Sequence, residues 1–294
     1  MEQPLNGNST MLDALLPADM AAKAEQIGVK KAHLNMVSMF VLAVLAGAFI
    51  ALGAVFSTTV VAGAGDTLPY GVARLLAGLV FSLGLILVIV GGAELFTGNN
   101  LIVMAWAGGK VSTGLVLQNW VIVYLGNFVG AVGTAVLMLF TGQFTFGNGA
   151  VGLAALATAN AKSGLGFGQA VALGIMCNTL VCLAVWLTFS ARTTTDRILA
   201  IIPPITAFVA AGFEHSIANM YFVPIGLFIR AGAPASFWAA IGKTAADYPN
   251  LTWSNFLLKN LLPVTVGNII GGALLVGAVY WFVYLRHATT GRKG

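Results

Sequence analysis

The chain has 294 residues, 59% hydrophobic and only 8% charged, with a mean hydropathy of +0.92. A soluble domain carries about 25% charged residues, so this composition excludes one and requires an integral membrane protein. The formal charge of +5 comes from Lys and Arg scattered at the ends of apolar runs, never gathered into a patch, which argues against nucleic acid as a partner. Long apolar runs joined by short polar stretches also exclude a β-barrel, whose strands alternate over roughly ten residues. The fold class is all-α, in a lipid bilayer.

The residues before Leu34 form the polar N-terminal stretch. Pro17-Ala18-Asp19 opens a helix, and Lys30 and Lys31 follow Gly28. Leu12, Leu15, Leu16 and Met20 give an apolar stripe interrupted by Pro17. This predicts an amphipathic helix lying on the membrane surface or against a neighbouring subunit. No basic segment leads into a short apolar core, so no cleaved signal peptide is expected.

Six spans follow, at about 34–62, 70–107, 114–141, 168–190, 196–231 and 256–286. The chain thus divides into an N-terminal segment 1–33, a six-helix domain 34–286 and a tail 287–294. Six spans place both termini on one side. That side collects Lys23, Lys30, Lys31, Lys110, Arg192, Arg197, Arg286, Arg292 and Lys293, against Arg74, Lys162, Arg230, Lys243 and Lys259 opposite. The bias places the termini in the cytoplasm.

Two spans carry the same interruption. Gly92-Ala93-Glu94-Leu95-Phe96-Thr97-Gly98-Asn99 and Gly212-Phe213-Glu214-His215-Ser216-Ile217-Ala218-Asn219 both read Gly-x-Glu-x-x-x-x-Asn. A glutamate at mid-bilayer depth costs roughly 2.5–3.5 kcal/mol on insertion scales, so it is rarely left facing lipid. The third and sixth spans repeat Gly-Asn-x-x-Gly, at Gly126-Asn127 and Gly267-Asn268. An odd number of spans per repeat forces opposite orientations. The architecture is therefore an inverted 3+3 repeat with broken second and fifth helices, and the breaks line a solute pathway. Pro203-Pro204 is expected to kink the fifth span before its break.

His215 is the sharpest candidate, the one histidine within a span. A low-dielectric site disfavours its charged form unless Glu214 or a bound anion offsets this. It is suited to hydrogen-bond a weak-acid anion or to give it a proton. Thr97, in the other break, is expected to face it across the pseudo-axis. Glu94 and Glu214 are expected to satisfy backbone N–H groups freed at the breaks. On an anion pathway their charges must be turned from the lumen or protonated. Leu95, Phe81, Leu85 and Phe208 lie in or shortly before the breaks and form candidate apolar constrictions. Cys177 and Cys182 fall within one span as small packing residues, without metal or redox meaning. No cofactor is expected: a membrane haem carrier needs two facing histidines, and only His215 is available. A hydrolase lacks a partner for its nucleophile, and no Walker-type loop supports an ATP-driven pump.

Ile89-Val90-Gly91-Gly92-Ala93-Glu94-Leu95-Phe96-Thr97-Gly98 resembles the first signature of the formate/nitrite transporter family. Gly174 to Ala184 resembles the second, with Thr179 where the family favours a large apolar residue. Phe213 to Asn219 and Pro263-Val264-Thr265-Val266-Gly267-Asn268 resemble its formate-channel branch. The resemblance implies an aquaporin-like fold without Asn-Pro-Ala, in a homopentamer of the bacterial inner membrane with one pore per subunit. It implies that Thr97 faces His215, with Asn178, Glu214 and Asn268 as polar residues around the histidine. Leu95 and Phe208 become constriction residues, and Phe81 and Leu85 extend the cytoplasmic narrowing. Lys162 matches a lysine that attracts the anion at the periplasmic mouth, and the N-terminal helix matches a pH-dependent gate. The implied substrate is formate or a related small anion; nitrite and hydrosulfide are the nearest rivals.

Overall fold

The computed structural model describes residues 14–65 and 67–286. Leu12, His287 and the tail 287–294 lie outside the described residues. Helix α1 (Pro17–Ala32) starts at Pro17, so the proline begins the helix and does not interrupt it. A ring-fixed φ and a missing N–H suit the first helical position. Then come α2 (Met36–Val61), α3 (Tyr70–Gly91), the short α4 (Phe96–Asn99) and α5 (Val103–Ala107), and α6 (Thr113–Phe140). The second half has α7 (Ala150–Ser163), α8 (Phe167–Ser190), α9 (Thr194–Ala210), α10 (Ser216–Gly232), α11 (Ala235–Ile241) and α12 (Asn255–Tyr284).

Among the described residues five helices, α2, α3, α6, α8 and α12, are long and apolar enough to cross a membrane. The remaining span, fifth in chain order, is the interrupted pair α9 and α10, of 17 residues each; beyond it the chain turns by 113° into α11. Both breaks fall where the sequence places them. Each follows a glycine in the left-handed region, Gly92 at φ +82° and Gly212 at φ +76°, a conformation that side chains with a Cβ disfavour. α9 runs on through Pro203 and Pro204 to Ala210, and Gly212 makes the break.

The repeat is longer than the sequence pattern implies. A short helix precedes each half: α1 packs on α5 and α8, and α7 packs on α10. α1 therefore buries its face (Met20, Ala21, Ala24, Gly28, Ala32) within its own subunit. Within each half the first span packs on the third, α2 on α6 and α8 on α12. Tyr124 and Thr265 each stand three residues before the repeated asparagine, and their hydroxyls hydrogen-bond at 2.8 Å. Equivalent positions that touch place the pseudo-two-fold axis between them.

Glycines set these packings. A Cβ on Gly130 would collide with the Val44 carbonyl, and one on Gly271 with the Ile175 carbonyl. Both obstacles are backbone, so helices must separate to admit a methyl group. Gly130→Ala is expected to destabilise the protein by about 3 kcal/mol or more, at the upper end of overpacking effects. Gly133→Ala, with nothing within 4 Å of the new methyl group, is expected to be neutral. Thermal midpoints of the two variants in detergent check this; equal values would refute the packing argument.

Candidate functional site

The breaks expose backbone groups, and two asparagines satisfy them. In the first half Asn127 Oδ1 accepts from Phe96 N–H (3.0 Å), while its Nδ2 donates to the carbonyls of Ala43 (2.7 Å) and Glu94 (2.9 Å). In the second half Asn268 Oδ1 accepts from Ser216 N–H (2.9 Å), and Nδ2 donates to Gly174 (2.8 Å) and Glu214 (3.0 Å) carbonyls. One side chain thus caps the new helix and ties the break to the first span.

The glutamates do something else than the sequence predicts. Neither carboxylate accepts from a freed backbone N–H. Glu94 Oε1 pairs with Lys31 Nζ at 2.7 Å, and its Oε2 accepts from Asn99 Nδ2 at 2.7 Å. Glu214 Oε1 pairs with Lys162 Nζ at 2.7 Å, and its Oε2 accepts from Asn219 Nδ2 at 2.7 Å. Asn119 closes the first network by linking Asn99 to the Lys31 carbonyl, and Asn260 closes the second through Asn219 and the Lys162 carbonyl. Both carboxylates are thus neutralised by a lysine brought from the preceding short helix. Asn119 and Asn260 were legible as a pair, since each stands eight residues before the repeated asparagine. The lysines carry no such constant spacing.

The first residue of each break after the glutamate is Leu95 in one half and His215 in the other. Both have φ −111° and extended ψ, so the two halves present different side chains from one backbone geometry. His215 Nδ1 accepts from Ala218 N–H at 3.0 Å, and Nε2 lies 3.0 Å from Thr97 Oγ1. An accepting Nδ1 places the proton of a neutral ring on Nε2, which then donates to Thr97. A ring protonated at both nitrogens would set its Nδ1–H against the Ala218 N–H. His215 is 3% exposed and Thr97 0%.

The remaining predicted neighbours support this pair without touching the ring. Asn178 Nδ2 donates to the carbonyls of Thr97 (3.3 Å) and Asn268 (2.7 Å) and to Asn100 Oδ1 (2.9 Å). It braces the Thr97 turn against α12. Asn268 holds the backbone on either side of His215, the Glu214 carboxylate pairs with Lys162, and neither side chain hydrogen-bonds the imidazole. Cys182 Sγ donates to the Thr97 carbonyl at 3.3 Å, a contact the sequence does not announce.

Two cavities approach this pair from opposite faces. The distal cavity, about 600 Å³, is lined by Arg74, Phe81, Lys162, Phe208, Glu214 and His215 among others. The proximal cavity, about 310 Å³ and beneath α1, is lined by Lys23, Lys31, Val88, Glu94 and Arg197 among others. Thr97, Leu95 and Leu85 border neither, and their chain neighbours place them between the two. Phe208 stacks on His215 (5.9 Å, 22°) and meets Phe81 edge-on (5.6 Å, 85°). Phe81 and Phe208 therefore form an aromatic wall on the distal side, away from α1. Lys162 borders the distal cavity, with its charge shared with Glu214. Lys23 donates to the Phe189 carbonyl at 2.7 Å. Burial, then the nearby Arg197 and Arg192, hold its amine below the usual lysine range. Among the described residues no group of His, Cys, Asp and Glu has the geometry of a metal site.

A sequence profile described as "Formate/nitrite transporter" matches residues 18–282. "Formate channel FocA" of Escherichia coli (strain K12) is 48% identical over 274 residues, 93% of this chain and 96% of that protein. "Formate channel FocA" of Haemophilus influenzae is 42% identical over 275 residues, 93% and 96% of the two chains. A solved structure, "Pentameric formate channel with formate bound", superposes with a TM-score of 0.81 at 50% identity, covering 85% of this chain and 98% of that one. These relatives are channels and not enzymes. The match in sequence, along nearly the whole chain and in tertiary structure, shows that this multi-pass membrane protein belongs to the formate/nitrite transporter family.

Proposed function

We propose that each subunit passes formate, a small monovalent carboxylate, between the distal and proximal cavities in either direction. The observation that carries this is the Thr97–His215 hydrogen bond, buried between two cavities that hold more cations than anions. The formate-channel relatives, at 48% and 42% identity, support formate as the anion. The solved pentameric relative supports a homopentamer. Residues 34–286 form the channel domain in a bacterial inner membrane. The 1–33 and 287–294 segments lie in the cytoplasm, so the distal cavity opens outward.

Leu95 and Leu85, with Phe81 and Phe208 on the distal side, exclude a hydrated ion. Formate must exchange its water shell for protein donors. His215 Nε2–H and the Thr97 hydroxyl supply two of them, when their mutual hydrogen bond opens onto the carboxylate. Ala218 N–H holds the ring in the donating tautomer. This favours hydrogen bonding over proton transfer, because a neutral imidazole that gave up its Nε2 proton would become an anion. α1, which carries Lys23 and Lys31 into the proximal wall, is the element assigned to pH-dependent gating.

Uptake of labelled formate by proteoliposomes tests the pair. His215→Ala and Thr97→Ala are each expected to lower flux by about tenfold or more, the equivalent of one charge-assisted hydrogen bond. Unchanged flux in both variants would remove the assigned role. Wild-type nitrite or hydrosulfide flux exceeding that of formate would change the substrate.

A further inference from the structure

Lys31 and Lys162, which border the proximal and distal cavities, bring no net charge, because each is paired with a glutamate at 2.7 Å. The surplus in the distal cavity comes from Arg74. Among the charged residues lining that cavity are Arg74, Lys162 and Glu214, and the last two cancel.

Arg74 lies near the distal end of α3 and is half-buried. Its Nε donates to the Ala210 carbonyl at 3.3 Å and its Nη2 to the Val209 carbonyl. These are terminal carbonyls of α9, where a cation is favoured by the helix dipole. Capping uses two of the three guanidinium nitrogens and leaves the Nη1 donors without a partner among the described residues. An anchored guanidinium with a free edge facing a cavity is preorganised for a planar anion, and a carboxylate is the matching shape. The proximal cavity has a counterpart: Arg197, in the first turn of α9, is exposed on its wall and has no carboxylate partner among the described ion pairs. α3 and α9 are equivalent helices of the inverted halves, so one arginine stands at each mouth.

We propose that Arg74 is the anion-capturing residue of the distal vestibule, taking small carboxylates on its free edge, with Arg197 doing the same at the proximal mouth. This rests on the anion-channel reading above. The distinctive consequence is sidedness: each arginine acts on the anion arriving from its own face and leaves the central passage unaltered. A purely capping role for Arg74 would instead alter the break, and with it transport in both directions.

The test measures initial rates of labelled formate uptake in right-side-out and inside-out membrane vesicles, each at about 20 and 200 mM ionic strength. Arg74→Gln is expected to raise the half-saturating formate concentration about fivefold at low ionic strength, in one vesicle orientation only. Its maximal rate is expected to stay within about twofold of wild type, and its ionic-strength dependence to flatten. Arg197→Gln is expected to do the same in the opposite orientation, more weakly because Lys23 remains nearby. Arg74→Lys keeps the charge without the fork, and is expected to hold half-saturation within about twofold. It also serves if Arg74→Gln does not assemble, since a capping role requires Arg74→Lys to slow both orientations equally. The proposal is overturned if Arg74→Gln leaves half-saturation and its salt dependence unchanged, or if either Arg74 variant lowers the maximal rate alike in both orientations. Wild-type vesicles that take up no formate would instead remove the function itself.

Discussion

Replacing Asn268 by leucine is expected to produce the largest single-site loss of stability in the protein. The side chain makes three hydrogen bonds of 2.8–3.0 Å to backbone groups of two separate segments: the Gly174 carbonyl of α8, and Ser216 N–H and the Glu214 carbonyl on either side of His215. Leucine has a similar volume and leaves the buried Ser216 N–H and Glu214 carbonyl unpaired, while the Gly174 carbonyl keeps its place in the hydrogen-bond ladder of α8. At about 1–3 kcal/mol for each unpaired group, the sum is a large part of the whole stability of an ordinary domain. Formate flux is expected to vanish with it, because Ser216 follows His215 directly and the same bonds position the ring. Thr179→Val is the matched control. The Thr179 hydroxyl donates to the Ile175 carbonyl one turn back in its own helix, and its loss is expected to be nearly silent. Thermal unfolding of the detergent-solubilised protein compares the two. If both variants melt together, Asn268 does not hold the break.

The second large effect concerns the buried ion pair of the second half. Lys162→Met leaves the Glu214 carboxylate, in a residue 4% exposed, with only the amides of Asn219 and Asn260. Breaking a buried pair from one side costs about 3–5 kcal/mol, while replacing both partners by neutral groups is often close to harmless. Lys162→Met and Glu214→Gln are therefore each expected to be strongly destabilising, and the double variant to recover most of the loss. Transport carries the same signature. The lone carboxylate of Lys162→Met repels anions from the distal cavity, and the double variant restores passage because the wall is neutral again. A double variant no better than the worse single one, in stability and in flux, would show that the two charges do not act as a pair.

The paired lysines also resolve a tension in the sequence. Two intramembrane glutamates on an anion route look self-defeating when read alone. The structure leaves both on the cavity walls. It brings to each one a cation from the helix that precedes its half, Lys31 from α1 and Lys162 from α7. Lys31 also lies 3.1 Å from Asn99 Oδ1, whereas Asn219 Oδ1 has no partner among the described residues. The two networks thus share a plan and differ in completeness.

Local pattern determined a good deal. Apolar runs of span length, a glycine before each glutamate, and the repeated Gly-Asn-x-x-Gly are properties of short stretches. Each acts through its own backbone: hydropathy through insertion, glycine through its tolerance of positive φ, small residues through helix approach. The spans, both breaks and the inverted repeat were therefore legible, and the family resemblance added that Thr97 faces His215. What tertiary structure alone decided is which partner each polar group meets. Lys31 is 63 residues from Glu94 in the chain and Lys162 is 52 from Glu214, with no shared spacing to betray them. The helix 150–163 is too short and mixed to read as part of the repeat, yet it carries one of the two lysines. Periodicity reports which face of a helix is apolar. A buried charge is satisfied by whatever the packed helices bring within 3 Å, and only the folded chain settles that.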